Sequence, residues 1–316
     1  MNNTEMIREL RSLTQAGMKD CKDALVESGW DLQKAVDIVK VKGLNVVDAR
    51  AGKVAADGIV RVVPVDPNTL AMVEVNCQTD FVAGSPDFQS FVALTGVALA
   101  EAARDNHPFS AIEVEDERKA LVAVCKENVV VRQWWVEQAM DPKARVFSYV
   151  HANNKIGVVL TLLAENDAAF NTLEFESMGN ELAMQVAAMS PVGVSSDRVP
   201  ADVRARQAAI FETQIAEMNK PAAQAVKILE GKFRKWYTEV CLLEQESVIV
   251  PKTTVKQVLE NLGKQIGGKV EVVNFVRCQV GEGIEVVKEN YTDEISKLSG
   301  VSTETKIAFG KNRSED

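Results

Sequence analysis

Apolar residues recur in steps of three and four from the start of the chain. Met6, Ile7, Leu10 and Leu13 fall on one face and predict a first helix. Met18, Cys21, Ala24 and Leu25 predict a second, ended by Gly29. Asp31 is placed to cap a third along Leu32, Ala35, Val36 and Val39, closed at Gly43. A three-helix unit of this size has a marginal core, so it is a docking unit or leans on its neighbours. Leu44 to Asp57, rich in Ala and Gly, reads as a linker.

The period then changes. Ile59 to Val65 is β-branched, Asp66-Pro67-Asn68 is a turn, and Leu70 to Cys77 returns as a strand. Ser85 can cap a helix with Pro86 in its first turn and Phe88, Phe91, Val92 and Val97 inside. A helix from about Asp116 to Glu127 and a third strand at Val129 to Val131 follow. The pattern repeats with a strand from Val146 to His151, a turn at Asn153-Asn154-Lys155, a strand from Ile156 to Leu163 and a helix from Phe170 to Met189. The two halves align as hairpin, polar loop with Asp (Asp80, then Asp167), Phe (Phe81, then Phe170) and long helix, which points to a duplication.

A helical hairpin interrupts the second half. Val203, Ile210, Phe211, Ile215 and Met218 supply one stripe and Val226, Leu229, Phe233, Trp236 and Val240 the other, joined at Asn219-Lys220-Pro221. Thr254 and Gln257 form a capping-box pattern, and Val270 to Val280 reads as a strand with Asn274, Val276, Cys278 and Val280 on one side. A short helix around Tyr291 to Leu298 and a polar tail from Val301 complete the chain. The expected class is α+β, in four parts: residues 1–55, 56–140, 141–284 with the insertion at about 198–240, and 285–316.

The net charge of −9 disfavours phosphate backbones, so no direct nucleic-acid partner is expected. No run of about 18 apolar residues suggests a membrane span, and the first ten residues lack the character of a signal or transit peptide. A cytoplasmic protein is the expectation. The five cysteines are scattered and form no C-x-x-C pair, so buried reduced thiols are expected. A Cys–His pair built from Cys77 or Cys125 with His107 or His151 is the catalytic alternative. There is no phosphate-binding loop, dinucleotide fingerprint, nucleophile elbow or metal-ligand spacing. Gly281-Glu282-Gly283 reads as a turn. No cofactor or metal is expected.

Two features stand apart. Gln78-Thr79-Asp80-Phe81-Val82 places an aromatic in a polar loop between strand and helix. It is either a cap followed by an inward Phe or an exposed apolar wedge. Met18 is either core or a soft docking contact.

Two segments resemble the elongation factor Ts family: LTQAGMKDCKDAL (Leu13 to Leu25), departing from the family pattern at Gln15, Lys19 and Asp23, and VEVNCQTDFVA (Val73 to Ala83), which matches it throughout. Shorter matches at Ala55-Ala56-Asp57-Gly58, Ile156-Gly157-Val158, Val186-Ala187-Ala188 and Val280 to Ile284 keep the same order. The resemblance implies a non-enzymatic guanine-nucleotide exchange factor that binds elongation factor Tu carrying GDP. It implies contacts from Arg11 and Met18 to the GTPase domain. The loop Gln78, Thr79, Asp80, Phe81 and Val82 would act beside the magnesium and phosphate site, with Phe81 as the wedge. A second contact is implied at Met184, Gln185, Val186 and Ala187, where the family often has His at the position of Gln185. A C-terminal helix on the GTPase domain is implied as well, and the tail after Val301 lies outside the pattern. The three-helix unit also resembles ubiquitin-associated domains, so an interaction scaffold is the rival reading.

Overall fold

The computed structural model describes residues 2–14, 16–219 and 221–285. Helices α1 (Asn3–Thr14), α2 (Met18–Glu27) and α3 (Leu32–Arg50) enclose Leu10, Cys21, Ala24, Leu25 and Ala35. The Asp31 carboxylate accepts the Lys34 N–H and starts α3, as its position predicts. Two expectations fail here. Leu13 points outward instead of joining the core, while Met18 takes the exposed one of its two readings. Helix α3 also passes through Gly43 and covers the first half of the expected linker. The cause is tertiary. A Cβ at Gly43 would stand 3.1 Å from the Ala123 methyl, so the glycine admits a neighbouring helix, and Val47 is buried against the next core.

Strands β1 (Asp57–Asp66), β2 (Thr69–Cys77) and β3 (Val130–Gln138) form an antiparallel sheet in that order. Strands β4 (Ala144–Val150), β5 (Ile156–Ala164) and β6 (Val270–Gln279) form a second. Each central strand leads into a one-turn helix and then a long one: α4 (Asp80–Ala83) and α5 (Pro86–Arg104), then, in the second half, α7 (Asp167–Phe170) and α8 (Leu173–Met189). Helix α6 (Glu115–Cys125) precedes β3. Both strand 3 and its counterpart carry a bulge at matching places. Arg132 is the extra residue opposite Glu74–Val75, and Val273 is the extra residue opposite Thr161–Leu162. The caps match too: Thr79 and Asn166 on the short helices, Ser85 and Thr172 on the long ones, with Phe88 and Phe175 fully buried behind them.

This register corrects one detail of the expected repeat. Asp80 and Asp167 both open their one-turn helices, so the counterpart of Phe81 is Ala168, not Phe170. Phe170 lies two residues further on, partly buried against Phe175 and beneath the Arg145 guanidinium.

The two sheets pack face to face through Val60, Met72, Val159 and Cys278, and the helices cover the outer faces. Gly157 permits this approach, because a Cβ there would stand 2.4 Å from Val60 Cγ1. Glu74 lies in the seam with no exposed surface. It bonds Arg132 Nη1 at 2.9 and 3.0 Å and accepts the Gly281 N–H at 2.9 Å. Lys155 crosses the same seam to the Gly58 carbonyl and Asp57. Val276, Cys278 and Val280 face the seam as expected, whereas Asn274 bonds Glu137 at its rim. Val97, expected inside its helix, is exposed.

The inserted hairpin is α9 (Ala201–Glu217) and α10 (Ala222–Val240), followed by α11 (Val255–Ile266), which the predicted Thr254–Gln257 capping box begins. Phe211 meets Phe233 edge-on with ring centres 5.3 Å apart. Ile215 is the one buried side chain of the two helices, and Ile210, Met218 and Val226 stay largely open. Two helices alone cannot cover both flanks of their shared stripe. Among the described residues, no helix is long and apolar enough to cross a membrane. The predicted helix around Tyr291 to Leu298 and the tail lie outside the described residues.

Candidate partner-binding site

The turn carrying Phe81 is built from polar bonds on one side only. Strand β2 ends at Cys77, and the next two backbone N–H groups, of Gln78 and Thr79, both donate to Glu127 Oε2 at 3.0 Å. The Thr79 hydroxyl donates to Glu127 Oε1 at 2.7 Å and accepts the Val82 N–H at 3.3 Å. Asn128 donates its N–H to Gln78 Oε1 at 3.0 Å. Ser85 closes the turn by accepting from Phe88 and donating to the Val82 carbonyl. Ala83 is buried and Val82 half-buried, which anchors the turn. Phe81 is 86% exposed, the most of any large apolar side chain among the described residues. Asp80 beside it is exposed as well.

The exposed alternative for Phe81 is therefore the observed one. Its direction follows from the cap. Thr79 as N-cap fixes the rotation of α4 so that Ala83 faces the sheet and Phe81 faces water.

The remaining expected contacts divide. Arg11 is exposed, and Met18 is 53% exposed where α2 begins. Met184 on α8 is 38% exposed. The side chains of Gln185, Val186 and Ala187 are enclosed, so they offer a partner no surface of their own. Gln185 instead works inward. Its Oε1 accepts the Val248 N–H at 2.8 Å, and its Nε2 donates to the Glu246 carbonyl at 3.1 Å. That holds a loop on which Val248, Ile249 and Val250 are all partly exposed. Sequence reasoning missed Glu127, Asn128 and this loop. The first two lie almost fifty residues from the turn they hold, and nothing local marks them.

Four of the thiols, Cys21, Cys77, Cys241 and Cys278, are buried, and Cys125 is half-buried. Burial pushes Cys77 up to about 12, reinforced by the charges of Asp57 and Glu127. Burial also raises Cys21, Cys125, Cys241 and Cys278. His107 faces Glu113 and His151 bonds the Tyr149 hydroxyl; among the described residues neither hydrogen-bonds a cysteine. No group of three or more potential metal ligands occurs among the described residues. A groove of about 710 Å³ between α11 and β6 is lined by none of the turn residues.

An exposed aromatic ring on a turn with a fixed base is the kind of anchor that contacts between macromolecules use. The comparisons with known proteins give that surface a context. A family profile described as elongation factor TS matches residues 78–282. The chain is 38% identical to elongation factor Ts of Clostridioides difficile (strain 630) over 303 residues, spanning 93% of this chain and 97% of that protein. It is 35% identical to elongation factor Ts of Clostridium botulinum (strain Eklund 17B / Type B) over 308 residues, spanning 95% and 100%. Elongation factor Ts of Rhodospirillum centenum (strain ATCC 51521 / SW) is 35% identical over 307 residues, spanning 93% and 98%. The fold and these likenesses define an α+β translation elongation factor. The chain belongs to the elongation factor Ts family.

Proposed function

We propose that this chain is a non-enzymatic guanine-nucleotide exchange factor, cytoplasmic, that acts on elongation factor Tu carrying GDP. A GTPase holds GDP through its phosphate loop and magnesium ion. A rigid aromatic pressed beside that site moves the backbone that holds both, and GDP leaves. Phe81 is that aromatic, with Asp80, Thr79, Gln78 and Val82 forming its base. Arg11 and Met18 dock the N-terminal helices on the GTPase domain. Met184 meets another domain of the partner, and Gln185, Val186 and Ala187 support it from inside.

The parts take separate duties. Residues 1–55 dock, 56–140 carry the wedge, and 141–284 make the second contact, with the arm at about 198–240 projecting from it. No bond of the nucleotide is broken, so no acid, base or nucleophile is needed. Linkage sets the cost: whatever factor the protein lowers GDP affinity by, GDP lowers the protein's affinity by the same factor.

The observation that carries this reading is the exposure of Phe81 on a turn whose base is held by Glu127 and Thr79. Stopped-flow release of fluorescent GDP from elongation factor Tu tests it. Phe81→Ala should slow release at saturating factor by at least about tenfold, the range of a binding hot spot, with thermal unfolding unchanged. Equal release rates for the variant and the parent chain would remove the wedge role.

A further inference from the structure

Three consecutive residues after α6 are bonded to three different parts of the molecule. Lys126 ends α6 with a left-handed backbone (φ 59) and turns the chain back toward the sheet. Its ammonium pairs with Asp20 of α2 at 2.9 Å, two residues after Met18. Glu127 holds the base of the Phe81 turn through three bonds. Asn128 donates its side-chain amide to the Lys53 carbonyl at 2.8 Å, where the chain leaves α3, and its N–H to Gln78 Oε1.

The three ties differ in weight. Lys126 and Asp20 are both about half exposed, so water and salt screen their pair. Glu127 is half-buried, and a carboxylate that accepts from two backbone N–H groups and a hydroxyl makes charge-assisted bonds. Asn128 is buried, and leaving its amide unbonded would carry a desolvation penalty. The contact of Gly43 with Ala123 packs α3 on α6 directly behind them. The tripeptide therefore joins the helix that bears Met18, the exit of α3 and the turn that bears Phe81.

We propose that Lys126-Glu127-Asn128 is a positioning element that fixes the Phe81 turn relative to the N-terminal helices. Docking through one surface then delivers the other to its target in a set geometry. The proposal rests on the exchange function above. None of the three residues is offered as touching nucleotide. Glu127 in particular has committed its oxygens to the turn.

The test is GDP release from elongation factor Tu, measured against factor concentration for the parent chain, E127A, E127Q, N128A, F81A and F81A/E127A. A positioning role predicts that E127A lowers the maximal rate by at least about tenfold, the weight of lost bonds to a charged group. The half-saturating concentration should change by less than about threefold, because the docking surfaces remain. E127Q keeps one carbonyl acceptor and should recover part of the loss. F81A/E127A should be no slower than F81A, because both act through one ring. Hydrogen exchange at the Thr79 and Val82 amides should quicken in E127A.

A maximal rate in E127A equal to that of the parent would overturn the proposal, as would losses that multiply in the double variant. If E127A fails to fold, E127Q and N128A carry the same comparison. A parent chain that does not accelerate GDP release would overturn the exchange function and this role together. An active parent with insensitive Glu127 and Asn128 variants would overturn the positioning role alone.

Discussion

Phe81 stays out of the core because its neighbours are already committed. The Thr79 hydroxyl bonds twice, Ala83 takes the inward position, and Ser85 begins the next helix. A ring rotated inward would displace one of these. The cysteines show the opposite behaviour and lead to a pH prediction. Cys77 and Cys241 both have their thiols pushed up to about 12 from an ordinary 9.0, chiefly by burial. Between about pH 9 and pH 12 the native chain keeps thiol protons that the unfolded chain has released, so these groups lower stability as pH rises through that window. Below about pH 9 both states are protonated and the contribution is fully present. The urea midpoint should fall from about pH 8 to about pH 11, and C77A/C241A should remove part of that slope. Iodoacetamide should label both thiols slowly at about pH 8 in the native state, because little thiolate exists to react.

At the scale of elements, what was legible in the sequence was what local chemistry decides. Ser85 with Pro86, Asp31, Thr254 with Gln257, and the Asp66-Pro67-Asn68 turn all start or end elements where their side chains predict. What failed depended on distant partners. Gly43 looked like a stop and is instead a point of close approach, because Ala123 meets it from another helix. Leu13 and Val97 fit the apolar period of their helices, yet no neighbour among the described residues covers them. The repeat was visible, but its register was not, because the capping residues set it and the aromatics suggested another. Part of the site was legible in the same way: the exposed ring lies in the motif, and the carboxylate that holds it does not. The register yields a test. Ala168 occupies the place of Phe81 and is exposed, so a ring there would stand on an equivalent turn. Ala168→Phe should fold normally and leave GDP release within about twofold of the parent. A rate gain comparable to that lost in F81A would mean that any exposed ring suffices and that the position of the first turn does not matter.

For the whole molecule, the question is what keeps two small sheets acting as one body. Three-stranded sheets are near the lower limit of independent stability, so each depends on the face it shares with the other. That face is apolar at Val60, Met72, Val159 and Cys278, yet a fully buried carboxylate lies among them. Glu74 is bound by Arg132, the bulged residue of its own sheet, and by the Gly281 N–H just beyond the last strand of the other sheet. The bulge places a cation in the seam, and the carboxylate fastens the end of β6 to β2. A buried pair of this kind adds little beyond what a well-packed apolar pair would give, but removing one partner leaves an uncompensated charge. Arg132→Met should therefore destabilise the chain by about 3–5 kcal/mol in urea unfolding. Adding Glu74→Gln should restore part of that loss, since the double variant no longer buries a lone carboxylate. The Phe81 turn follows directly on β2, so the single variant should also slow GDP release, and the double variant should recover it in step with stability. Equal stability in Arg132→Met and the parent would show that the sheets are held by their apolar contacts alone.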